Sequence, residues 1–352
     1  IIGQEVKPVN VAVLDTGSPY AVDPAFTRSI FDTQWGWDMV DNDALADDDE
    51  FPNGSFSHGT HVGSTISMLN DGLDGNGMAA RVTPIRVCAG GCPGSATYGA
   101  YLYLNGDAND SLTTFAQRSA GQKLHSVNMS YGGSGGSATS ASCVKLGELA
   151  DRGVLIASSS GNSGVGSVGW PSSCPKVYSV GATNGTDRRS SYSSTNEYVA
   201  FSAPGGEYSD WNADGIDDLV YAYARDNSYV QSNNNGNPMI GAQGTSMASP
   251  HGAGFLGLIK YYYEDIVKPF ESNTTLPSSL TYVEVDKMLA ANLLTNDVNK
   301  EERPNDSVAR PGWDEHLGYG IIDLEKAIKA IDSFQNGYFT SFDALPYYEG
   351  PS

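Results

Sequence analysis

The hydrophobic residues of this 352-residue chain fall into short runs, separated by loops rich in glycine, serine and asparagine. Several runs are continuous and β-branched, a pattern typical of strands buried on both faces of a parallel sheet. These predicted strands cover residues 9–15, 81–87, 123–133, 154–157, 177–180 and 198–201. Helical spacing marks residues 64–69, 143–152, 255–263 and 283–294, and a last helix starts near residue 320. The two patterns together predict an α/β protein.

The length of the chain allows one large domain or two ordinary ones, and either would bury a sizeable core. No internal repeat and no linker is visible, so we expect one domain over residues 1–335 and a loosely ordered tail over residues 336–352. Every apolar run is far shorter than the roughly 20 residues that a membrane-spanning helix needs. We therefore expect no association with a membrane.

Acidic residues outnumber basic ones by 41 to 20, which gives a net charge of −21. This charge repels phosphate backbones, so we do not expect a nucleic-acid partner, and it favours hard cations such as calcium. The chain opens on Ile1, without a methionine or a charged-then-apolar leader. We interpret this opening as that of a processed, exported protein from which any signal or pro-segment has been removed.

The four cysteines are even in number and do not form two C-x-x-C pairs, so disulfides suit them better than zinc. Three pairings are possible, and we favour Cys88 with Cys92 and Cys143 with Cys174. The second bond would be worth about 3 to 4 kcal/mol in the chain-entropy model. Because disulfides persist in oxidising compartments, the cysteines predict a secreted, extracellular protein.

A glycine-spaced turn at residues 241–244 runs into small and apolar residues that predict a helix. Gly241 and Gly244 allow a tight turn, so Ser246 would lie exposed at the start of the helix, at the positive end of its dipole. Taken alone, Ser246 is more simply explained as the N-cap of a buried helix. It becomes a candidate nucleophile only if the chain also supplies a base and an orienting carboxylate.

The chain supplies a candidate for each of these partners. Asp15 ends the first predicted strand, at the edge where catalytic groups of open α/β sheets collect, although a turn-forming Asp before Gly17 would look the same. His58 lies at the exposed start of a predicted helix, and we interpret it as a general base. His61 follows it without the spacing or the glutamate of a zincin, so we interpret His61 as a packed structural histidine.

Two further motifs follow predicted strands. Asn162 comes after a serine-rich strand end, where its side chain could donate to an oxyanion or could simply form an ordinary turn. Residues 132–136 match the G-x-S-x-G pattern, so Ser134 is the rival nucleophile of an esterase-type hydrolase. In so glycine-rich a segment that match carries little information.

Residues 38–50 are strongly acidic, and the sequence leaves open whether they form a solvated loop or bind a cation. Residues 210–218 follow the spacing of a calcium-binding loop more closely, with Gly215 at the sharp bend. The predicted ligands of this structural Ca²⁺ are Asp210, Asn212, Asp214, Ile216 through its backbone carbonyl, and Asp218. Tyr221 replaces the bidentate glutamate of an EF-hand, so another carboxylate or a water must complete the shell.

Four motifs occur in one order along the chain: Asp15-Thr-Gly17, His58-Gly-Thr-His61, Ser160-Gly-Asn162 and Gly244-Thr-Ser-Met-Ala-Ser-Pro250. Together they resemble the subtilisin-like serine proteases, the subtilases, and are closest in style to the extracellular bacterial members. The resemblance implies a doubly wound α/β fold, a three-layer sandwich around a mostly parallel central sheet. It also implies endopeptidase activity on proteins and peptides.

By the same resemblance, Ser246 attacks the scissile carbonyl, His58 takes its proton and returns it to the leaving amine, and Asp15 orients the imidazolium. Asn162 and the Ser246 amide would hold the oxyanion. The resemblance further implies a substrate-pairing edge and a pocket for large apolar side chains before the cut. These are formed by Ser130, Tyr131, Gly132, Ser158, Ser159, Ser160 and Gly169.

The chain departs from the plain family pattern at Gly63-Ser64 and at His251-Gly252, and in a long insertion near residues 205–240, which contains the predicted calcium loop. We expect a monomer whose partners are protein substrates and, as an inhibitor, its own removed pro-segment. Besides the esterase that would use Ser134, the remaining alternative is a catalytically silent binding protein on the same fold.

Overall fold

A computed structural model describes residues 9–19, 31–48, 57–67, 80–107, 114–119, 121–133, 136–167, 169–211, 213, 215–223, 232–233, 237–270, 276–296, 312–335 and 341–345. Of the sequence-predicted site residues, Ser134, Asn212 and Asp214 lie outside the described residues. None of the helices in the described ranges has the length and the apolar character that crossing a membrane requires.

The strands are β1 (Val9–Asp15), β2 (Trp37–Asp38), β3 (Ala80–Arg86), β4 (Ser126–Met129), β5 (Leu155–Ser159), β6 (Val177–Thr183), β7 (Val199–Pro204), β8 (Val220–Tyr223), β9 (Ser232–Asn233), β10 (Asn237–Ala242), β11 (Thr295–Asn296) and β12 (Ile321–Ile322). All six sequence-predicted strands are present, as β1 and β3 to β7. The pattern did not predict the two-residue strands or the strands of the insertion, which are too short or too polar to carry it.

Nine strands form the central sheet, in the order β11-β12-β7-β6-β5-β4-β1-β3-β2. Neighbouring strands of this sheet run parallel, except for β11 and β12, which pair antiparallel. The other three strands, β8, β10 and β9, form a small antiparallel sheet within the insertion. The mostly parallel central sheet confirms the predicted fold class.

The helices are α1 (His58–Ser67), α2 (Gly94–Asn105), α3 (Phe115–Arg118), α4 (Ala141–Asp151), α5 (Thr245–Tyr261), α6 (Tyr282–Ala290) and α7 (Leu324–Gln335). A π-helical turn (Tyr262–Val267) and a 3₁₀ turn (Lys268–Phe270) extend α5, and another 3₁₀ turn covers Phe342–Ala344. The helices cover both faces of the sheet, because parallel strands must be joined by crossovers that lie on its faces.

Strand β1 shows how the sequence produces three layers. Val9, Val11 and Val13 point into one core, which contains α1, α5, α6 and α7. Ala12 and Leu14 point into the opposite core, which contains α2 and α4. Because successive side chains of a strand face opposite sides, a continuous apolar run is what a sheet with a core on each face requires.

Helix α5 lies unusually close to the sheet. A Cβ added at Gly252 would lie 3.0 Å from the Phe201 ring, and one added at Gly257 would lie 2.8 Å from Ser126 Oγ. These glycines let the helix backbone approach the strands directly. The close approach matters for the site, because α5 begins at Thr245, one residue before Ser246.

Both favoured disulfides are present, Cys88 with Cys92 and Cys143 with Cys174. The first closes the loop between β3 and α2, and the second joins α4 to the segment before β6. Part of the predicted tail is also packed: Phe342 is buried and stacks on Phe334 with ring centroids 4.2 Å apart. The domain limit near residue 335 stays a prediction.

A buried ion pair anchors the end of α5. Lys260 Nζ donates to Glu264 Oε1 at 2.5 Å, and the two side chains are 1% and 3% exposed. Lys260 also donates to Ser279 Oγ and to the Leu280 carbonyl, while Lys123 pairs with the other oxygen of Glu264. The cluster therefore joins the end of α5 to the segment before α6 and, through Lys123, to the segment before β4.

We expect Lys260→Met to lower the free energy of unfolding by about 3 kcal/mol. The change removes a positive charge beside the buried Glu264 carboxylate and the donor to the Leu280 carbonyl. The matched control is Lys329→Met on α7, where Lys329 and Glu325 are also four residues apart at 2.5 Å but are 72% and 78% exposed. That change should cost no more than about 0.5 kcal/mol. Equal losses in denaturant melts of the two variants would contradict the assigned role.

Candidate active site

Asp15 and His58 meet at the carboxyl edge of the central sheet. Asp15 ends β1, and His58 begins α1, whose axis leads away from that edge. His58 Nδ1 donates to Asp15 Oδ1 at 2.7 Å, and the amide of Thr16 donates to the same oxygen at 2.8 Å. Because the carboxylate fixes the proton on Nδ1, Nε2 of the neutral imidazole is left as an acceptor, the tautomer that a general base needs.

The surroundings of His58 act on its pKa in opposite directions. Burial lowers the pKa, but the charge and the hydrogen bond of Asp15, together with the charge of Asp48, outweigh this and raise it above the ordinary value of 6.5. The imidazolium is thus stabilised by the carboxylates beside it. A base of this kind holds a proton more firmly once it has taken one.

His61 has a different environment from His58, although it lies only three residues later on α1. Its Nε2 lies 3.1 Å from the Val220 carbonyl of β8 and 3.0 Å from the Ile240 carbonyl of β10. Burial lowers its pKa to about 4, so it stays neutral at ordinary pH. His61 ties α1 to the small sheet, as expected of a structural histidine.

Ser246 lies in the first turn of α5. Gly244, just before the helix, has φ +150°, a conformation that residues with a side chain rarely adopt. Ser246 Oγ donates to the Ser130 carbonyl at 3.1 Å, and Ser130 Oγ donates back to the Ser246 carbonyl at 2.8 Å. That carbonyl is available because Pro250, four residues later, has no N–H to bond it within the helix.

A second contact between β4 and α5 was missed by the sequence reasoning. Ser249 Oγ donates to Asn128 Oδ1 at 2.7 Å, and Asn128 Nδ2 donates to Ser130 Oγ at 3.0 Å. Asn128 is fully buried between Val127 and Met129. The sequence does contain a signal for this contact, because Ser126, Asn128 and Ser130 are polar at every second position of an otherwise apolar strand. In the structure all three side chains face α5.

Asn162 is oriented by the residue before the nucleophile candidate. Its Oδ1 accepts from the Thr245 amide at 2.9 Å and from Thr245 Oγ1 at 2.8 Å. Since two donors occupy the oxygen, the amide orientation is fixed and Nδ2 is presented as a donor. Nδ2 lies beside the turn at Gly244, where an added Cβ would approach it to 3.5 Å.

A cavity of about 520 Å³ opens beside Ser246. Asn162, Thr245 and Ser246 line it, together with most of the predicted substrate-contacting residues. Those residues are Ser130, Tyr131, Gly132, Ser159, Ser160 and Gly169. Ser158 is different, because it lies inside β5, is fully buried and does not line the cavity. Successive side chains of a strand face opposite ways, so Ser158 and Ser159 cannot share one surface.

Two backbone features fix the shape of this cavity. The Gly133 amide donates to the Trp170 carbonyl and the Trp170 amide to the Gly133 carbonyl, each at 2.9 Å, which ties the two walls together. A Cβ at Gly169 would lie 3.0 Å from the Ser160 carbonyl oxygen, so the wall has no room for a side chain there. Gly169 therefore lets its own segment pack directly against Ser160.

The predicted calcium loop is described in part. Asp210 Oδ2 accepts from the Gly215 amide at 2.8 Å, and Asp218 Oδ2 accepts from the Trp211 amide at 2.7 Å. Gly215 has φ +90°, as the predicted sharp bend requires. Among the described residues, no group of three or more His, Cys, Asp or Glu side chains is placed to hold a metal ion. Two of the five predicted ligands lie outside those residues.

Several carboxylates of the acidic stretch 38–50 have partners within the protein. Arg86 Nη1, at the end of β3, donates to Asp38 Oδ2 at 2.7 Å and to Asp41 Oδ2 at 2.5 Å. Asp48 accepts from hydroxyl groups on either side of the Asp15 and His58 pair. Asp38, Asp41 and Asp48 are therefore not simply solvated, and no group of three or more metal-binding side chains is found among the described residues of this stretch.

Comparison with known proteins gives consistent matches. The model of the subtilase family matches residues 7–320. Alkaline elastase YaB from Bacillus sp. (strain YaB) is 33% identical over 203 residues, 58% of this chain and 44% of that protein. M-protease from Shouchella clausii (strain KSM-K16) is 30% identical over 255 residues, 72% of this chain and 54% of that protein. The chain spans about half the length of these two curated relatives.

Among solved structures, a lanthipeptide protease has a similar fold, with a TM-score of 0.65 and 23% sequence identity. The match covers 91% of this chain and 88% of that one. At this level of identity the likeness shows the fold alone.

We expect His58 to titrate above pH 6.5 in an NMR titration of the imidazole signals, because Asp15 and Asp48 stabilise its charged form. In Asp15→Asn the pKa should fall below 6.5, since burial then acts with less opposition. His61, His125 and His251 serve as internal references, because burial lowers the pKa of each. A His58 pKa that is the same in both proteins would contradict the assigned pairing.

Proposed function

The chain belongs to the subtilase family, and from this membership we propose that it is a serine endopeptidase that cleaves peptide bonds of proteins through an acyl-enzyme. The observation that carries the proposal is the hydrogen bond of 2.7 Å between His58 and Asp15, and the cavity that Ser246 and Asn162 line adds support. This arrangement supplies a base, its orienting carboxylate, a nucleophile and an amide donor at one edge of the sheet.

In the proposed reaction, Ser246 Oγ attacks the scissile carbonyl carbon while His58 Nε2 accepts the hydroxyl proton. The C–N bond breaks as His58 returns that proton to the leaving amine, which leaves an ester on Ser246. Water then attacks the ester, with His58 again taking and returning a proton, and the carboxylic acid product is released. Asp15 orients the imidazole through Nδ1 and stabilises the imidazolium that forms.

The tetrahedral intermediates carry a negative oxygen that needs donors in place before the reaction. Asn162 Nδ2 and the Ser246 amide are the proposed donors. The two hydrogen bonds from Thr245 support this role for Asn162, since a donor that is already oriented does not have to be ordered during the reaction. Removal of such a donor in subtilisin costs on the order of 10² to 10³ in turnover.

The proposed substrate binds along Ser130–Gly132 in an extended conformation, with the side chain before the cut in the cavity of about 520 Å³. The proposed pocket contains Gly169, which has no side chain of its own, and none of the described residues that line the cavity is charged. We therefore propose a broad specificity with a preference for large apolar residues at this position.

We also propose that residues 210–218 bind a structural Ca²⁺. Asp210 and Asp218 both accept hydrogen bonds from amides within their own loop, which supports a compact loop with its carboxylates turned inward. Carboxylate and carbonyl oxygens are the ligands that Ca²⁺ prefers. The ion would neutralise acidic side chains that otherwise repel one another.

Secretion is proposed from the two disulfides, which require an oxidising compartment. Protein substrates follow from the proposed activity, and inhibition by a removed pro-segment and a monomeric state remain proposals. The esterase that would use Ser134 and the silent binding protein remain the alternatives that the experiments below distinguish.

The test of the function is digestion of a mixed protein substrate, with cleavage sites identified by mass spectrometry. We expect cuts mainly after large apolar residues. Ser246→Ala should lower turnover by on the order of 10⁶, the loss measured when the nucleophile of subtilisin is removed. Ser134→Ala is the matched control and should retain activity. Loss of activity only in Ser134→Ala would favour the esterase, and a wild-type protein that a fluorophosphonate does not label would favour the binding protein.

Removal of calcium should lower the melting temperature of the wild-type protein. A ligand at 100 times its Kd stabilises a folded protein by about 2.7 kcal/mol, and excess EDTA removes that contribution. Asp218→Asn should reduce the shift, whereas Asp217→Asn, which removes the neighbouring charge outside the predicted ligand set, should not. A melting temperature that EDTA leaves unchanged would count against the calcium proposal.

A further inference from the structure

Asp48 lies beside the candidate active site but has no role in the mechanism above. Its side chain is buried, and its Oδ2 accepts from Thr16 Oγ1 and from Ser57 Oγ, each at 2.7 Å. Its backbone amide donates to the Ser18 carbonyl at 2.8 Å. One carboxylate oxygen thus joins two chain segments that are 41 residues apart in sequence, as residue numbers 16 and 57 show.

These two segments are the ones that carry the reacting groups. Thr16 follows Asp15 directly, and Ser57 precedes His58 directly. Thr16 Oγ1 also accepts from the Gly59 amide at 2.9 Å. That amide belongs to the first turn of α1, where no carbonyl of the helix itself can accept from it. The end of β1 therefore caps the start of α1 through one hydroxyl group.

The directions of these hydrogen bonds follow from the acceptor at their centre. Gly59 donates its amide proton to Thr16 Oγ1, so the hydroxyl proton of Thr16 is directed to Asp48. Ser57 Oγ lies 2.5 Å from Thr60 Oγ1, and because Ser57 donates to Asp48, Thr60 donates to Ser57. An ionised carboxylate accepts only, so it fixes every proton in this network.

We propose that Asp48 is a positioning residue for peptide-bond hydrolysis: it locks the strand end that carries Asp15 to the helix start that carries His58. The inference rests on the proposed function for its kinetic consequences, but not for its structural ones. Without Asp48, the two segments would still be joined by the His58–Asp15 hydrogen bond and by the Gly59 amide on Thr16 Oγ1, but Thr16 and Ser57 would lose the acceptor they share.

The charge of Asp48 adds a second effect on the base. The titratable groups that act on this part of the structure are Asp15 on β1, Asp48, and His61 on α1, with His251 of α5 acting on His61. Burial lowers the pKa of His58, and Asp15 followed by Asp48 raises it. Burial lowers the pKa of His61 to about 4 and also lowers that of His251, whereas Asp15 and Asp48 both raise that of His58.

The test compares Asp48→Asn with two further variants. Asp48→Asn keeps an oxygen acceptor but removes the charge, and we expect kcat for a peptide substrate to fall on the order of tenfold, with KM changed less than about twofold. The acid limb of the kcat/KM profile and the NMR titration of His58 should both move to lower pH. Thr16→Val removes only one hydroxyl group, so kcat should fall while the titration stays close to that of the wild type.

Asp41→Asn is the matched control. It removes a charge from the same acidic stretch, but Asp41 pairs with Arg86 and contacts neither Thr16 nor Ser57. We expect it to leave kcat and the titration of His58 unchanged. If Asp48→Asn lowers only the melting temperature, with kcat and the His58 titration as in the wild type, Asp48 is merely structural and the proposal is overturned.

Two other outcomes are also decisive. If Asp48→Asn does not fold, Thr16→Val and Ser57→Ala take its place, and full activity in both would overturn the proposal. If the wild-type protein cleaves no peptide, the proposed function fails, whereas the NMR titration still reports whether Asp48 acts on His58. The failure of the function and the failure of this inference are therefore distinguishable.

Discussion

Asp15 is an almost completely buried carboxylate, and burying a charge is costly unless partners compensate for it. The chain provides those partners in one place: the Thr16 amide and His58 Nδ1 both donate to Oδ1. The last residue of β1 must therefore lie beside the first residue of α1, and the helices packed on both faces of the sheet hold these two residues in place. Helix α5 brings Ser246 to the same edge of the sheet through its contacts with Ser130, which follows β4.

The two cores hold the edge in place in different ways. On one face, α5 lies against the strands through glycines and through hydroxyl and amide contacts with β4, so its position along the sheet is specified by polar pairs. On the other face, α2 and α4 pack through apolar side chains, and a disulfide joins Cys143 of α4 to Cys174. Directional hydrogen bonds fix the register of a helix more narrowly than apolar packing does.

The sequence was most informative where a signal is local. A strand end, a helix start and the turn beside each are read within about ten residues, which is why Asp15, His58, Asn162 and Ser246 could be identified as candidates. The bond of Asp48 with Thr16, the pairing of Arg86 with Asp38 and the contact of Asn128 with Ser249 join residues 32, 48 and 121 positions apart. Composition shows that such polar residues exist, but only the fold shows which ones meet.

The missing N–H of Pro250 has an effect at the start of its helix. The Ser246 carbonyl, which an ordinary helix would keep for itself, bonds to Ser130, a residue of the proposed substrate-binding edge. The hydrogen bond that the helix lacks is thus replaced by one that connects the segment proposed to hold a peptide with the serine proposed to attack it. Because Ser130 contacts Ser246 and also belongs to the proposed substrate-binding edge, a substitution of Ser130 would change both the binding of a peptide and the position of Ser246.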